Sequence, residues 1–215
     1  MNPSFIRRYS LLAAVAAVAA CSRPASTPGP ASTPAPVQVG PEHLPPSQAD
    51  VKFMGDMIGH HSQAIRISRW APSRGASPAV QRLAERIVVG QLDEIEIMQR
   101  WLRTHDQPMV EPDTAEHATH GAMDHSAHMP GMLSPEELER LGQARGAEFD
   151  RLFLTYMIRH HQGALTMVDE LFASQGAAQN DTVFRLASDV YAEQSTEIAR
   201  MKTMLDGLPG EGAGR

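Results

Sequence analysis

The chain contains one short segment twice, and this repeat constrains its fold more than any other feature. Residues 57–64 read Met-Ile-Gly-His-His-Ser-Gln-Ala, and residues 157–164 read Met-Ile-Arg-His-His-Gln-Gly-Ala. Around both histidine pairs, apolar side chains recur every three or four residues, which is the spacing of the buried face of an amphipathic helix. We therefore predict that each histidine pair lies within an apolar helical stripe and faces the interior of a folded domain.

A second repeat extends the duplication to whole hairpins. The pattern Gln-x-x-Glu-Ile-x-x-Met occupies residues 91–98 and recurs at residues 194–201. Each half thus carries a histidine helix followed by a Gln-x-x-Glu helix, with no alternating strand pattern anywhere in the sequence. The sequence predicts an all-α, four-helix bundle over residues 48–207, made of duplicated hairpins at 48–104 and 134–207.

Local signals mark where the helices begin and end. Capping boxes or an N-cap followed by proline predict helix starts at Ser47, Ser77 and Ser134, and Asn180 or Asp181 caps the last helix. Pro72 is expected to end the first helix, while Gly142 and Gly146 weaken or break the third.

The chain begins with features of an exported protein. Arg7 and Arg8 precede an apolar run that ends at Cys21, which resembles the lipidation site of bacterial lipoproteins, although a plain signal peptide is the alternative. Residues 1–20 are therefore predicted to be a lipoprotein signal peptide, and residues 21–47, rich in Pro, Ala, Ser and Thr, an extended linker. We expect the domain to be lipid-anchored at Cys21 and to face the periplasm or the cell exterior, with the export route (general or twin-arginine) left open.

The two hairpins are joined by residues 105–133, which are rich in Met and His and contain no Lys or Arg. No helical period runs through this segment, so it is predicted to be a flexible loop. A polar low-complexity linker is the alternative interpretation. Seven side chains of the segment are candidate ligands: His117, His120, Met123, His125, His128, Met129 and Met132.

Imidazole and thioether groups together favour copper among the biological metals. Thioether sulfur is soft and suits Cu(I), while imidazole binds copper, zinc, iron and nickel. The only cysteine lies at the end of the signal peptide, so a cysteine-built zinc site is excluded within one chain. The net charge of −6 and the lack of a basic stripe argue against nucleic-acid binding.

The helices supply a second set of candidate ligands and auxiliary groups. The candidates for direct ligation are His60, His61, His160, His161, Met57 and Met157. Asp56, Glu94 and Glu197 are predicted to be auxiliary ligands or to orient the histidines. Hydrogen-bonded core histidines, methionines that only fill the core, and a solvated Asp56 are the alternatives.

These motifs resemble the CopM-like family of secreted bacterial domains of unknown function (domain of unknown function 305). The resemblance rests on residues 149–164, on the preceding Gly131-Met132 and on the doubled segment, and it covers residues 48–207. It implies a ferritin-like bundle that binds copper, and also silver, in metal tolerance, and it singles out the six helical His and Met ligands. The first half has Gln63 where the second has Gly163, and Ser62 where it has Gln162, which implies that the first site is tuned differently or is weaker.

The leading functional hypothesis is an extracytoplasmic, non-enzymatic copper-binding protein that sequesters or buffers Cu(I) or Cu(II), with its protein partner left open. A ferritin-like dimetal oxidoreductase is the first alternative. Such sites take Glu from two helices and Glu-x-x-His from two others, and the core helices lack that motif. The second alternative is a lipid-anchored structural or interaction module without metal.

Overall fold

The computed structural model describes residues 45–113 and 129–209, and over these ranges the chain is helical without a strand. This confirms the all-α prediction. The five helices are α1 (Gln48–Ser68), α2 (Pro78–Thr104), α3 (Pro135–Gln143), α4 (Gly146–Ala173) and α5 (Asp181–Asp206). None of them combines the length and the apolar character needed to cross a bilayer.

The capping signals in the sequence form as predicted. At the start of α1 the Ser47 hydroxyl accepts from the Asp50 amide at 3.0 Å, and the Asp50 carboxylate accepts from the Ser47 amide at 3.2 Å. Ser134 forms the same reciprocal box at the start of α3, and Asn180 caps α5. These side chains satisfy amides that have no partner within the helix.

The predicted third helix is interrupted, as expected at Gly142 and Gly146, so the described residues form four long helices and one short one. The backbone turns between Gln143 and Gly146, where Gly146 has φ +56°, a conformation that glycine adopts readily. The Gly146 amide donates to the Arg74 carbonyl at 2.9 Å, which ties the start of α4 to the turn between α1 and α2. Helix α3 is therefore a short lead-in to α4.

Two hydrophobic clusters show how the long helices run. One cluster takes residues from the first halves of α1 and α5 and the second halves of α2 and α4, among them Phe53, Val183, Trp101 and Leu171. The other takes residues from the opposite halves, among them Trp70, Met201, Leu83 and Phe149. Helices α1 and α4 are therefore antiparallel, and α4 starts at the end of the bundle where α2 also starts.

This arrangement requires a long crossover between the hairpins. Helix α2 has 27 residues, about 40 Å, and it finishes at the end of the bundle opposite to the start of α4. The chain between them must travel back along the bundle. One long crossover is the connection found in ferritin-like bundles.

A duplicated aspartate links each hairpin to the turn of the other. The Asp50 carboxylate at the start of α1 accepts from the Ala178 amide, before α5, at 2.7 Å. The Asp150 carboxylate of α4 accepts from the Ser77 amide, before α2, at 3.1 and 3.2 Å. Both aspartates are buried, so these reciprocal bonds fix how the two hairpins pack.

Candidate metal centre

A layer of polar side chains separates the two hydrophobic clusters. In each of the four long helices, polar residues fall between residues of one cluster and residues of the other. We call this group the histidine layer: His60, His61, Gln91, Glu94, His160, His161, Gln194 and Glu197. All four histidines are 0% exposed. The prediction that both histidine pairs face the interior is therefore confirmed.

The outer histidines, His61 and His161, each meet a carboxylate of their own hairpin. His61 Nε2 lies 2.6 Å from Glu94 Oε2, and His161 Nε2 lies 2.7 Å from Glu197 Oε2. An ionised carboxylate only accepts hydrogen bonds, so Nε2 carries the proton in both rings. A carboxylate behind an imidazole fixes its tautomer and raises its basicity, as it does for metal-bound histidines.

The inner histidines, His60 and His160, contact each other across the α1–α4 interface. Their ring centroids are 3.8 Å apart with an interplanar angle of 37°. His60 Nε2 donates to the Pro130 carbonyl at 3.0 Å, whereas the His160 ring makes no hydrogen bond to Pro130 and lies beside the His60 backbone.

The layer leaves several buried polar atoms without a hydrogen bond. Within the described part of the chain, Nδ1 of all four histidines and both amide atoms of Gln91 and Gln194 lack partners. Each such atom costs about 1–3 kcal/mol of stability if it stays unsatisfied. A concentration of these atoms in one layer indicates that the layer accommodates a polar guest.

Burial also keeps the inner histidines neutral. Desolvation, followed by the nearby His61, lowers the pKa of His60 to about 3. Desolvation and the charge of His60 lower the pKa of His160 well below its ordinary value. Because both rings are neutral at physiological pH, a metal ion would not have to compete with a proton for their lone pairs.

A short segment, which we call the strap (residues 129–133), lies over the inner histidines. Gln63 binds it from α1: its amide donates to the Leu133 carbonyl at 3.2 Å and accepts from the Leu133 amide at 2.8 Å. On α4, a Cβ at Gly163 would overlap the Pro130 carbonyl, so only glycine leaves room for the strap. The last residues of the segment 105–133, which the sequence predicts to be a flexible loop, are thus in contact with both helices through hydrogen bonds and close packing.

The difference between Gln63 and Gly163 thus has a physical explanation. Both residues serve the strap, one by binding it and the other by making room for it. Glu137 lies in α3, just after the strap, and its carboxylate accepts from the Arg159 guanidinium of α4 at 2.6 Å. This bond anchors α3 to α4.

The structure places the three remaining helical site candidates on the outer face of α1 or in the hydrophobic clusters. Asp56 pairs with Lys52 on the outer face of α1, while His60 binds Pro130 instead, so the expected bond from Asp56 to His60 is not formed. Met57 and Met157 are fully buried, each in a different hydrophobic cluster.

The loop ligands divide between described and undescribed residues. Met129 packs partly buried against the cluster that contains Phe53, and Met132 is half-buried in the strap. The remaining candidates lie outside the described residues: Cys21, His117, His120, Met123, His125 and His128.

Two parts of the layer were not named as site residues from the sequence. The glutamines Gln91 and Gln194 belong to the duplicated Gln-x-x-Glu pattern, which carried the signal that could have identified them. The Pro130 carbonyl is a backbone group, and its place over His60 follows from tertiary packing that no local pattern encodes.

An acidic cleft of about 560 Å³ opens between α2 and α5 on the solvent side of the layer. Its lining includes Asp93, Glu94, Asp189 and Glu193. Partial burial, then repulsion by Glu94 and by Glu197, raises the pKa of Glu193. Since Glu94 also binds His61, the cleft connects the negative surface to the buried imidazoles and would attract a cation.

The layer does not form a preorganised multidentate cage. Nowhere in residues 45–113 and 129–209 do three His, Cys, Asp or Glu side chains surround a point that could hold a metal. The donors come in pairs, of which His60 and His160 are the closest. Paired neutral donors fit d¹⁰ ions such as Cu(I) and Ag(I), which accept two or three ligands, better than ions that need four or more.

The described bundle is similar in sequence and structure to proteins of one family. The family model "Domain of unknown function (DUF305)" matches residues 50–205. A DUF305 fragment from Deinococcus radiodurans is 29% identical with a TM-score of 0.63, over 76% of this chain and 99% of that one. A DUF305 protein from Streptomyces coelicolor assigned as secreted is 28% identical with a TM-score of 0.59, over 74% and 92% of the two chains.

The copper-bound protein CopM is also similar in structure. Its Cu(II)-bound form is 29% identical with a TM-score of 0.55, over 73% of this chain and 95% of that one. CopM has also been solved in Cu(I)-bound and silver-bound forms. Among curated proteins, the uncharacterized protein L153 of Acanthamoeba polyphaga mimivirus is 39% identical over 49 residues, which is 23% of this chain and only 32% of that protein.

Proposed function

This chain belongs to the DUF305 family, and from that premise we propose that it binds copper, and also silver, outside the cytoplasm and holds the ion at the histidine layer. The observation that carries the proposal is the set of four fully buried imidazoles whose Nδ1 atoms have no partner among the described residues. Copper-bound and silver-bound forms of the similar protein CopM support the choice of metal.

The donors in the layer suit a soft or borderline ion. Imidazole binds copper in both oxidation states. Glu94 and Glu197 would act behind His61 and His161, where their negative charge strengthens the imidazoles as donors. Met57 and Met157, one helical turn before the outer histidines, are the nearest thioethers in sequence and would be recruited only by local repacking.

The Met- and His-rich connection is proposed as the first contact for the ion. Its thioethers and imidazoles bind soft metals without a rigid cage. The residues assigned to this capture step are His117, His120, Met123, His125, His128, Met129 and Met132. Met129 and Met132 are the described members of this set, and Met129 already packs against the bundle beside Gly59.

Location outside the cytoplasm is supported by the leader and by the secreted assignment of the Streptomyces relative. We assign Cys21 as the lipidated residue, which would tether the bundle to a membrane through the Pro-rich linker. Copper held in a buried layer is withheld from reaction, so the role is sequestration or buffering in metal tolerance and not catalysis.

Native mass spectrometry with Cu(I), Cu(II), Ag(I) and Zn(II) tests the proposal. The protein is the chain without residues 1–20 and with Cys21→Ser. It is compared with a core variant, in which His60, His61, His160 and His161 become Gln, and with a segment variant, in which the seven capture residues become Ala. We expect the core variant to lose bound Cu(I) and Ag(I) that the segment variant retains. Unchanged stoichiometry in a folded core variant would remove the layer from the function.

A further inference from the structure

The strap treats the two inner histidines differently, although their helices are duplicates. We propose that Gln63 is a positioning residue that selects Nδ1 of His60 as its only metal-binding nitrogen, and that it has no counterpart acting on His160. The metal part of this inference rests on the proposed function, but the selection itself is a property of the metal-free protein.

The first step is the fixed position of the strap. Gln63 makes two hydrogen bonds to the backbone of Leu133, one as donor and one as acceptor. A side chain that bonds both backbone groups of one residue sets the register of that residue against the helix. Gln63 and Leu133 are both buried, so water does not compete effectively for these bonds.

The fixed position of Leu133 also sets the position of Pro130. Gly131, with φ +77°, turns the chain between Leu133 and Pro130. The Gly131 Cα lies 2.9 Å from the place a Cβ would take at Gly163, so α4 closes the strap from the other side. The Pro130 carbonyl is thus held between Gln63 of α1 and Gly163 of α4.

The third step is the tautomer of His60. A carbonyl oxygen can only accept, so the 3.0 Å contact requires the proton on His60 Nε2. The lone pair then lies on Nδ1, and this atom is buried without a partner in the described part of the chain. Metal can then bind at Nδ1 while the bond to Pro130 remains in place.

His160 has no equivalent bond to the strap. The residue at the position of Gln63 is Gly163, which has no side chain to bind a backbone. Gln63 therefore acts on one of the two inner histidines only.

The test is ¹⁵N NMR of histidine-labelled, metal-free protein, in which protonated and unprotonated ring nitrogens have separate shifts. Gln63→Met keeps the volume of the side chain and removes both hydrogen bonds. The matched control is Gln81→Met, which removes a 2.7 Å bond to the Ala76 carbonyl away from the layer. We expect His60 to be a single Nε2–H tautomer in the wild type and in Gln81→Met, and a mixture in Gln63→Met.

A His60 that stays a single Nε2–H tautomer in Gln63→Met would overturn the proposal. If that variant does not fold, Gly163→Ala displaces the same carbonyl from the opposite helix and is judged by the same criterion. Merely loosening the strap would broaden signals without changing the tautomer, so the shift distinguishes positioning from general support.

Silver(I) is then added to the wild-type protein. We expect Nδ1 of His60 to shift while its Nε2 keeps its proton, and binding at Nε2 would contradict the selection. If silver shifted no histidine of the layer, the proposed function would fail, while the metal-free comparison of Gln63→Met with wild type would still decide the role of Gln63.

Discussion

The two hairpins present the same histidines in unequal surroundings. Their outer histidines are nearly identical, with Nε2–carboxylate distances of 2.6 Å and 2.7 Å. Their inner histidines differ, because His60 binds the Pro130 carbonyl and the His160 ring makes no hydrogen bond to that segment. Contacts within a hairpin thus follow the duplication, and the contacts that break the symmetry come from the connection between hairpins.

The reason for this difference is topological. Each hairpin brings its own copy of every helix, but only one connection joins the two hairpins. That connection must return along the bundle before α4 begins, and its strap has a direction and a sequence of its own. A single strap cannot make the same contact with both inner histidines, and in this bundle it binds His60 and not His160.

The largest expected effect comes from removing the space that the strap needs. Gly163→Ala places a Cβ against the Pro130 carbonyl, and since both are constrained backbone positions we expect a loss of about 1–3 kcal/mol in the free energy of unfolding. Denaturant unfolding measures it. The control is Gly55→Ala in α1, where the new Cβ meets only Val110 at 3.5 Å and should stabilise the helix by up to about 1 kcal/mol. Equal effects at the two glycines would show that the strap does not pack on α4.

The outer histidines should respond equally in the two halves. Glu94→Gln and Glu197→Gln each remove the carboxylate behind one imidazole, and we expect each to weaken Cu(I) binding about 10–100-fold. Competition titration with a chromogenic Cu(I) chelator measures the affinity. A loss confined to one variant would mean that only one hairpin contributes to the site.

Acid should destabilise the metal-free bundle through its inner histidines. The pKa of His60 is about 3 in the folded chain and about 6.5 when unfolded, so between these values the unfolded state binds the extra proton. The contribution of neutral His60 to the free energy of unfolding is therefore fully present above pH 6.5 and is lost as the pH falls towards 3. At pH 5 the loss from His60 alone is about 2 kcal/mol. His160 acts in the same direction.

Urea unfolding at pH 7 and pH 5 in the presence of a chelator measures this loss. The double variant His60→Gln, His160→Gln should reduce the difference between the two pH values. An undiminished difference would place the acid sensitivity elsewhere in the chain.

The smallest expected effect is a difference in stability loss between substitutions at the two duplicated aspartates, Asp50 and Asp150. Asp50 bonds the amides of Ser47 and Ala178 with different oxygens, whereas both oxygens of Asp150 bond the Ser77 amide. Asparagine keeps one acceptor oxygen, so Asp150→Asn retains its partner and Asp50→Asn loses one. We expect Asp50→Asn to cost about 1 kcal/mol more, measured by thermal unfolding. The opposite order would show that charge, and not the number of acceptors, decides their contribution.

Much of the fold could be predicted because its signals are local. The capping residues Ser47, Ser77 and Ser134 and the apolar spacing around His60 and His160 each act within one helix, and all of them are confirmed. The contacts of Glu94 and Glu197 were anticipated because duplication placed the same Gln-x-x-Glu helix in both halves.

The remainder depends on contacts between distant residues. The position of the strap is set by Gln63 and Gly163 from helices that are 100 residues apart in sequence, and the difference between these residues was interpreted as tuning without a mechanism. Asp56 was expected to orient His60 because it lies one turn away. The structure shows that Lys52, one turn in the other direction, takes that carboxylate on the solvent face.

The central claim is that the buried histidines themselves bind the metal. It is tested most directly by copper X-ray absorption on the segment variant, whose capture residues are all Ala, after loading with Cu(I) and gel filtration. We predict that copper remains bound and that its spectrum shows imidazole nitrogen ligands, which only the histidine layer, the helix-capping His105 and His43 of the linker could then supply. Replacing His43 and His105 as well should leave this spectrum unchanged. Loss of all copper from the segment variant, with the bundle still folded, would contradict the claim.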